Sequence, residues 1–330
     1  MKFGKVHVAD SIGAILAHSI SLPDGPIRKG TVLDAELVGR LTRGGIEQVV
    51  VARIEPSDMT EDAAAQEIGS GLVAPGLRLG PVFTGRVNLE AEAAGVIRLN
   101  TKAIRAVNAI DEGLTLATLP DLMRVASGQL VATVKIIPYG LDASIVARGA
   151  AALGVGAITL HPFGTGRAQL IMTRTPGFKE SLLTKGETGV RDRIEALGFL
   201  LDNVKIVDHQ EAAVAEALDP TVDLILILGA SATSDRSDVA PAAVCMAGGE
   251  IDRFGMPVDP GNLLFLGSLR GTPVVGLPGC ARSPALNGVD WVLERIAAGI
   301  EIDGQAIAEM GVGGLLKEMP GRPQPRQPRR

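Results

Sequence analysis

Residues 222–238 read VDLILILGASATSDRSD and are the most informative stretch of this chain. An apolar run that ends at Leu228 is typical of a strand buried on both faces of a parallel sheet, or of a core helix segment. It breaks at Gly229 into a small polar turn that leads to Asp235 and Asp238. A turn from a parallel strand into a helix offers free N–H groups and a positive helix end to an anion. The stretch therefore predicts a ligand site, and a capped helix after a core strand is the structural alternative.

Strand and helix patterns alternate on both sides of this stretch, from about Thr159 onward. Such alternation predicts an α/β domain with a doubly wound, mostly parallel sheet, preceded by smaller α+β or β-rich N-terminal domains. The predicted strands are 168–175, 203–209, 222–228 and 273–279, and the predicted helices are 34–44, 187–197, 241–247 and 283–298. The predicted domains are a small α+β unit (1–75), a mixed α+β region (76–158), the α/β domain (159–318) and a disordered Pro/Arg tail (319–330).

Three polar segments lie at the carboxyl ends of predicted strands of the second half, and the carboxyl ends of parallel strands meet in one crevice. These segments begin at Thr173, at Gly229 and at Leu277. Their hydroxyl groups suit recognition of a phosphate or a polar heterocycle, although serine and threonine are also common in loops without a ligand. The hydroxyl residues that we predict to bind are Thr173, Thr175, Ser231, Thr233 and Ser234, together with Gly229.

Two aspartates three residues apart, Asp235 and Asp238, could hold Mg²⁺, which takes one or two carboxylates and several waters. The alternative is a pair of first-turn acids that the helix dipole favours. Two Pro-Gly turns, Pro260-Gly261 and Pro278-Gly279, either allow close approach of the backbone to a ligand or are tight turns without one. Cys280 is either a thiolate poised at a helix start or a small buried side chain.

Composition excludes several classes of function. A net charge of −5, a pI near 5.5 and 3% aromatic residues disfavour nucleic-acid binding. No apolar run approaches the roughly 18 residues of a membrane span, and two distant cysteines favour a reducing compartment, so we expect a cytoplasmic protein. The four histidines form no HExxH pair, and P-loop, GxSxG and GxGxxG motifs are absent from the sequence.

The order of these motifs resembles a known family. LILGASATSDRSDVAPAAV (226–244) and GGEIDRFGMPVDPGNLLFLGSLRGTPVVGLPGCARSPALNGVDWVLERIAAG (248–299) are similar to the molybdopterin-binding domain of molybdenum-cofactor biosynthesis proteins, in particular the molybdopterin molybdotransferase branch. In the first half, GAILAHSI (13–20), KGTVLD (29–34), GRVNL (85–89) and VATVKIIP (131–138) resemble the N-terminal parts of such proteins. The resemblance thus spans most of the chain.

The resemblance implies a protein that binds molybdopterin, or its adenylylated form, and inserts molybdate with Mg²⁺ while AMP is released. On this basis Asp235 and Asp238 would be catalytic and would hold the metal or molybdate. Gly229, Ser231 and Ser234 would line the phosphate, and Pro260-Gly261 with Pro278-Gly279 and Cys280 would shape the pterin pocket. Proteins of this family are often homodimers, and we expect one here.

A second hypothesis is a non-catalytic carrier that hands molybdopterin to a nucleotidyltransferase or to an apo-molybdoenzyme. The second glycine of the family's turn is Ala230 here, and the lysine usual after the Pro-Gly turn is Asn262, so binding is better supported than turnover. A third hypothesis is a nucleotide-binding α/β enzyme of unrelated chemistry.

Overall fold

The computed structural model describes residues 1–316. The predicted Pro/Arg tail (319–330) and the last residues of the predicted α/β domain lie outside the described residues. The chain divides into two compact units, the first spanning Met1–Leu160 and the second beginning at His161. No helix among residues 1–316 has both the length and the apolar character needed to cross a membrane.

The first unit is built from short antiparallel strands and four helices. Its strands are β1 (Lys2–His7), β2 (Ile15–Leu16), β3 (Gln48–Arg53), β4 (Asp58–Thr60), β5 (Leu77–Leu79), β6 (Arg86–Ala91), β7 (Gly95–Leu99), β8 (Leu114–Thr118), β9 (Arg124–Val125), β10 (Leu130–Ile136), β11 (Gly140–Asp142) and β12 (Ile158–Pro162), which runs across the boundary of the unit. Its helices are α1 (Ala35–Arg43), α2 (Glu61–Ser70), α3 (Thr101–Asn108) and α4 (Ala143–Leu153). The strands pair in the orders β1-β3-β2, β5-β6-β10-β8, β11-β4 and β12-β7-β9.

Two hydrophobic clusters stabilise this unit. The first is made of buried side chains from residues 8–51, among them Leu16 of β2, Leu41 of α1 and Val51 of β3. Helix α1 begins as the sequence predicted, because Oδ1 of Asp34 accepts the N–H of Leu37 at 2.8 Å. The second cluster runs from Ala64 to Leu160 and includes the buried face of α2. The predicted boundary at residue 75 stays a prediction.

The second unit contains a six-stranded sheet. Its elements are β13 (Gly166–Arg174), α5 (Glu180–Glu195), β14 (Phe199–Asp208), α6 (Glu211–Ala217), β15 (Leu224–Leu228), α7 (Val239–Met246), β16 (Glu250–Phe254), β17 (Phe265–Leu269), β18 (Thr272–Leu277), α8 (Gly288–Ala297) and α9 (Gly304–Glu309). The strand order is β14-β13-β15-β18-β17-β16. The first four strands are parallel, and the β16–β17–β18 meander is antiparallel.

Helices cover both faces of this sheet, which explains why β15 (LILIL) is apolar at every position. Leu224, Leu226 and Leu228 face a cluster that includes α5 and α8. Ile225 and Ile227 face the opposite cluster, which includes α6 and α7. The predicted fold class, a doubly wound and mostly parallel α/β sheet preceded by β-rich α+β structure, is therefore confirmed.

The strand order places a switch point between β13 and β15. The chain passes from β13 outward to β14 and then returns across β13 to form β15, so the two connections leave the sheet in opposite directions. In open α/β sheets, ligands bind outside the carboxyl ends of the strands at such a point. The turn after β15, which begins at Gly229, lies at this position.

Candidate functional site

The parallel strands end level with one another. Met172 of β13 pairs with Leu228 of β15, and Leu228 pairs with Leu277 of β18. On the other side of β13, Arg174 pairs with Asp208, the last residue of β14. The turns that follow these strands therefore share one edge of the sheet, as the sequence predicted for three of them.

Thr173 connects two of these turns through its hydroxyl group. The side chain is fully buried, and Oγ1 accepts the backbone N–H of Ala230 at 2.7 Å. The same oxygen lies 2.8 Å from Nδ1 of His209, the residue after β14. Nε2 of His209 lies 2.9 Å from Oγ of Ser231, which is exposed. Three strand ends are thus joined by one chain of hydrogen bonds.

Arg282 brings a positive charge to the same turn. Nη2 donates to the carbonyl of Gly229 at 2.8 Å and Nη1 to that of Gly279 at 3.5 Å, while the guanidinium lies 6.0 Å from the centre of the Phe178 ring. Within residues 1–316 no carboxylate pairs with Arg282, and its buried Nε has no acceptor. Burial lowers the pKa of Arg282 because no nearby negative charge offsets the loss of water.

The backbone of the turn after β15 has unused donors. The N–H group of Ala230 is occupied by Thr173, whereas those of Ser234 and Asp235 bond to Oδ2 of Asp238. The intervening N–H groups have no acceptor in the described part of the chain; they belong to Ser231, Ala232 and Thr233. Consecutive free N–H groups next to a cation form a suitable site for an anion.

The two aspartates each use one carboxylate oxygen within the turn. Oδ1 of Asp235 accepts the N–H of Ser237 at 2.8 Å, and Oδ2 of Asp238 also accepts the hydroxyl of Ser234 at 3.1 Å. The backbone N–H of Ser234 is the main cause that lowers the pKa of Asp238. Residues 1–316 contain no group of three or more His, Cys, Asp or Glu side chains that could hold a metal ion. A cation here would therefore need oxygens from a ligand and water besides these two carboxylates.

The Pro-Gly turns lie at different places around α8. The carbonyl of Pro260 accepts the N–H of Gly288 at 2.8 Å, and a Cβ at Gly261 would lie 3.0 Å from the same nitrogen. Gly261 also has a φ of 142°, so only glycine fits this approach of the turn to the helix start. The Pro260-Gly261 turn thus contacts α8. In the described residues, no hydrogen bond joins it to the turn after β15.

Pro278 is buried and caps a short 3-10 helix, Gly279–Arg282, which carries Arg282 to the Gly229 carbonyl. Cys280 lies in this helix as a partly exposed free thiol, and its Sγ accepts a hydrogen bond from Nδ2 of Asn287 at 3.1 Å. Thr175 lies exposed beyond the end of β13. Its hydroxyl makes no hydrogen bond with the described residues.

Sequence reasoning missed His209 and Arg282. His209 is the last residue of the predicted strand 203–209, and this place at the carboxyl end of a parallel strand was a usable signal. Arg282 follows the LPGC turn by two residues, but its contact with Gly229 spans 53 positions. Pairing across that distance depends on the register of β15 and β18.

Comparison with known proteins gives the following matches. A protein-family model described as a domain of unknown function, DUF8806, matches residues 5–53. No curated protein matches the chain. A solved structure of the molybdopterin biosynthesis moea protein from Pyrococcus horikosii is similar with 13% identity and a TM-score of 0.30, covering 90% of this chain and 75% of that one.

Two further solved structures are of proteins with related names. The molybdopterin biosynthesis enzyme MoaB from Thermus theromophilus has 16% identity and a TM-score of 0.28, over 40% of this chain and 89% of that one. A molybdenum cofactor biosynthesis protein from Pyrococcus furiosus has 11% identity and a TM-score of 0.23, over 91% of this chain and 65% of that one. Likeness at this level does not bear on the chemistry of the site.

Proposed function

We propose that the chain binds molybdopterin, or its adenylylated form, in the crevice at the carboxyl ends of β13, β15 and β18, and acts in molybdenum-cofactor biosynthesis. One observation carries the anionic part of the proposal. Arg282 is half-buried and has no carboxylate partner among the described residues, and it bonds to the first residue of a turn whose N–H groups at 231–233 are free.

A phosphate group fits this donor set. A phosphate oxygen accepts hydrogen bonds and donates none when ionised, and charge-assisted bonds to arginine and backbone N–H groups are the strong ones. An unpaired buried guanidinium is costly, so a bound anion would stabilise it. The resemblance of residues 226–299 to the molybdopterin-binding domain supports a pterin as the molecule that carries this phosphate.

The further step in the proposal is insertion of molybdate. Oδ2 of Asp235 and Oδ1 of Asp238 accept no hydrogen bond within the described residues, so each carboxylate has one oxygen for Mg²⁺ or for a metal-bound water. When bound, Mg²⁺ would neutralise phosphate charge and assist departure of AMP. The chain itself would supply Arg282 and the turn to hold the phosphate.

Binding is tested with purified protein and adenylylated molybdopterin by equilibrium dialysis. We expect Arg282→Gln to weaken binding on the order of tenfold or more, because a hydrogen bond to a charged group is lost. Arg270→Gln is the matched control. It removes one positive charge in the β17–β18 turn, at the opposite end of β18 from the site. Equal affinity of the wild type and Arg282→Gln would contradict the proposal.

Turnover is tested by adding molybdate and Mg²⁺ and measuring AMP. Release of AMP that is lost in Asp235→Asn and in Asp238→Asn supports a molybdotransferase. Tight binding without release supports the second candidate, a carrier that passes molybdopterin to a nucleotidyltransferase or an apo-molybdoenzyme. One observation favours the carrier: Oδ2 of Asp238 already accepts the N–H groups of Ser234 and Asp235, so this carboxylate has a structural role.

A further inference from the structure

The hydrogen-bond chain around His209 has a defined direction, which the burial of Thr173 sets. A buried hydroxyl donates its proton to an acceptor, since an unsatisfied polar hydrogen is costly. Oγ1 of Thr173 has two partners, the N–H of Ala230 and Nδ1 of His209. The N–H of Ala230 can only donate. Within residues 1–316, Nδ1 of His209 is therefore the acceptor for the Thr173 hydroxyl.

The tautomer of His209 follows from this. If Nδ1 accepts a hydrogen bond, it carries no proton, and the proton of the neutral ring is on Nε2. The Nε2–H group then donates to Oγ of Ser231, 2.9 Å away. Ser231 is exposed, and its own hydroxyl hydrogen is left to point away from His209, free to donate to another group.

The groups of this turn next to Ser231 are also donors. Arg282 bonds to Gly229, two residues before Ser231, and the N–H groups at 231–233 are free within the described residues. The two acids of the turn each use one carboxylate oxygen on backbone N–H groups, Oδ1 of Asp235 on Ser237 and Oδ2 of Asp238 on Ser234 and Asp235. A ligand group that only accepts hydrogen bonds suits these donors.

We propose that His209 is a positioning residue: Thr173 holds it in the Nε2–H tautomer, and it orients the Ser231 hydroxyl as a donor to the oxyanion of a phosphate ester. The proposal rests on the proposed function for the location of the ligand. It adds a specific role for three side chains and the class of group that they recognise. Hydrogen bonds in such a chain polarise one another, so the Ser231 hydroxyl becomes a stronger donor.

The tautomer is measured first, without ligand, by ¹⁵N–¹H correlation spectra of the imidazole rings, with His209→Gln used to assign the signal. We expect an Nε2–H ring in the wild type and in Thr173→Ser. Thr173→Val keeps the shape of the side chain but removes the proton donor, so we expect loss of the single tautomer. Thr188→Val, which removes an exposed hydroxyl of α5, is the control.

Binding is measured next, with AMP as the phosphate ester and inorganic phosphate as the second probe. We expect Ser231→Ala and Thr173→Val each to weaken AMP binding on the order of tenfold, since a hydrogen bond to a charged group is lost. Thr173→Ser should restore affinity to within about twofold of the wild type, because it returns the donor. Tighter binding of AMP than of inorganic phosphate is expected for an ester site.

Several outcomes overturn the proposal. They are an Nδ1–H ring in the wild type, a tautomer that Thr173→Val leaves unchanged, AMP affinity that is the same in Ser231→Ala, and absence of binding of either probe. These failures are separate from failure of the proposed function. If AMP binds as expected and adenylylated molybdopterin does not, the pterin proposal fails while the role of His209 stands.

Discussion

Thr173 and Arg282 bond to opposite ends of one peptide unit, the unit that joins Gly229 to Ala230. Nη2 of Arg282 donates to the carbonyl of Gly229 at 2.8 Å, and the N–H of Ala230 donates to Oγ1 of Thr173 at 2.7 Å. Both polar groups of this peptide are therefore satisfied by side chains from other strand ends. The orientation of the turn after β15 is set within the protein, before any ligand binds.

In the sequence, Ala230 in place of the family's second glycine was a reason to expect binding without turnover. The structure gives this residue a role in holding the turn. Residue 230 has a negative φ, since it is not among the positive-φ residues, and its N–H is already used by Thr173. We expect Ala230→Gly to change AMP affinity by less than about twofold and to lower the free energy of unfolding by about 0.4–1 kcal/mol through the more flexible unfolded chain. Isothermal titration and chemical denaturation measure the two effects. A tenfold gain in affinity would show instead that the Ala230 methyl group hinders the phosphate.

The sequence predicted that these turns share one edge of the sheet because each part of that prediction was local. An apolar run such as Leu224–Leu228 indicates a strand covered on both faces, and the position of Thr173 follows from the end of β13. The partners of Thr173 were not predictable in the same way. His209 and Ala230 come to it from positions 36 and 57 residues further along the chain, so the contacts depend on strand order and register.

The predicted start of helix α8 was less accurate, because it too depends on specific side-chain contacts. Helix α8 was predicted from Ser283 but begins at Gly288. Its N-terminus is set by a capping box, in which Asn287 accepts from the backbone of the first turn and Asp290 accepts the N–H of Asn287 at 2.8 Å. Residues 283–287, which the prediction included in the helix, instead connect the 3-10 helix that carries Arg282 to α8. The hydrophobic pattern does not show where between Ser283 and Gly288 the helix begins.

Asp238 should make the stability of the second unit depend on pH. Hydrogen bonds from the backbone of Ser234 and Asp235 hold its pKa below the ordinary value of 3.8 in the folded state. A lowered folded pKa stabilises the protein above pH 3.8, and this contribution is lost as the pH falls through the folded pKa. Asp238→Ala should therefore be less stable than the wild type at pH 7, and the difference should shrink at acid pH.

The measurement is chemical denaturation across a pH series, followed by fluorescence of Trp291. This is the single tryptophan of the chain, and it lies in α8, so it reports on the second unit. Asp252→Ala is the control, because it removes an exposed carboxylate that accepts no hydrogen bond from the described residues. A difference between Asp238→Ala and the wild type that stays constant from neutral pH to strong acid would contradict the role given to these hydrogen bonds.

Gln169 is a buried polar side chain in the middle of β13, and both ends of its amide are used. Nε2 donates to the carbonyl of Ala217 and Oε1 accepts the N–H of Asp219, each at 2.9 Å. We expect Gln169→Met, which keeps the length of the side chain, to cost about 1–3 kcal/mol, since the N–H of Asp219 loses its partner and the buried carbonyl of Ala217 keeps only Nζ of Lys205 at 3.0 Å. Gln305→Met on the exposed face of α9 should be within about 0.5 kcal/mol of the wild type. Trp291 fluorescence reports both, and equal stability of the two variants would contradict this account.

Gly276 lets the antiparallel half of the sheet pack against its parallel half. It pairs with Phe265 across β17 and β18, and a Cβ at this position would lie 2.0 Å from a carbon of the Phe265 ring. The ring is 1% exposed, so it has no free space into which to move. We expect Gly276→Ala to cost about 1–3 kcal/mol or more, as overpacking of a core does.

The matched control is Gly164→Ala in the same unit. A Cβ there would meet its nearest atom, the carbonyl oxygen of Ala297, at 3.6 Å, an ordinary contact distance. We expect that variant to be as stable as the wild type or slightly more stable, because alanine restricts the unfolded chain. If steric overlap with Phe265 is the cause, Phe265→Leu should recover part of the stability lost in Gly276→Ala, although Phe265→Leu alone is destabilising. Additive losses in the double variant would show that the two residues do not interact in this way.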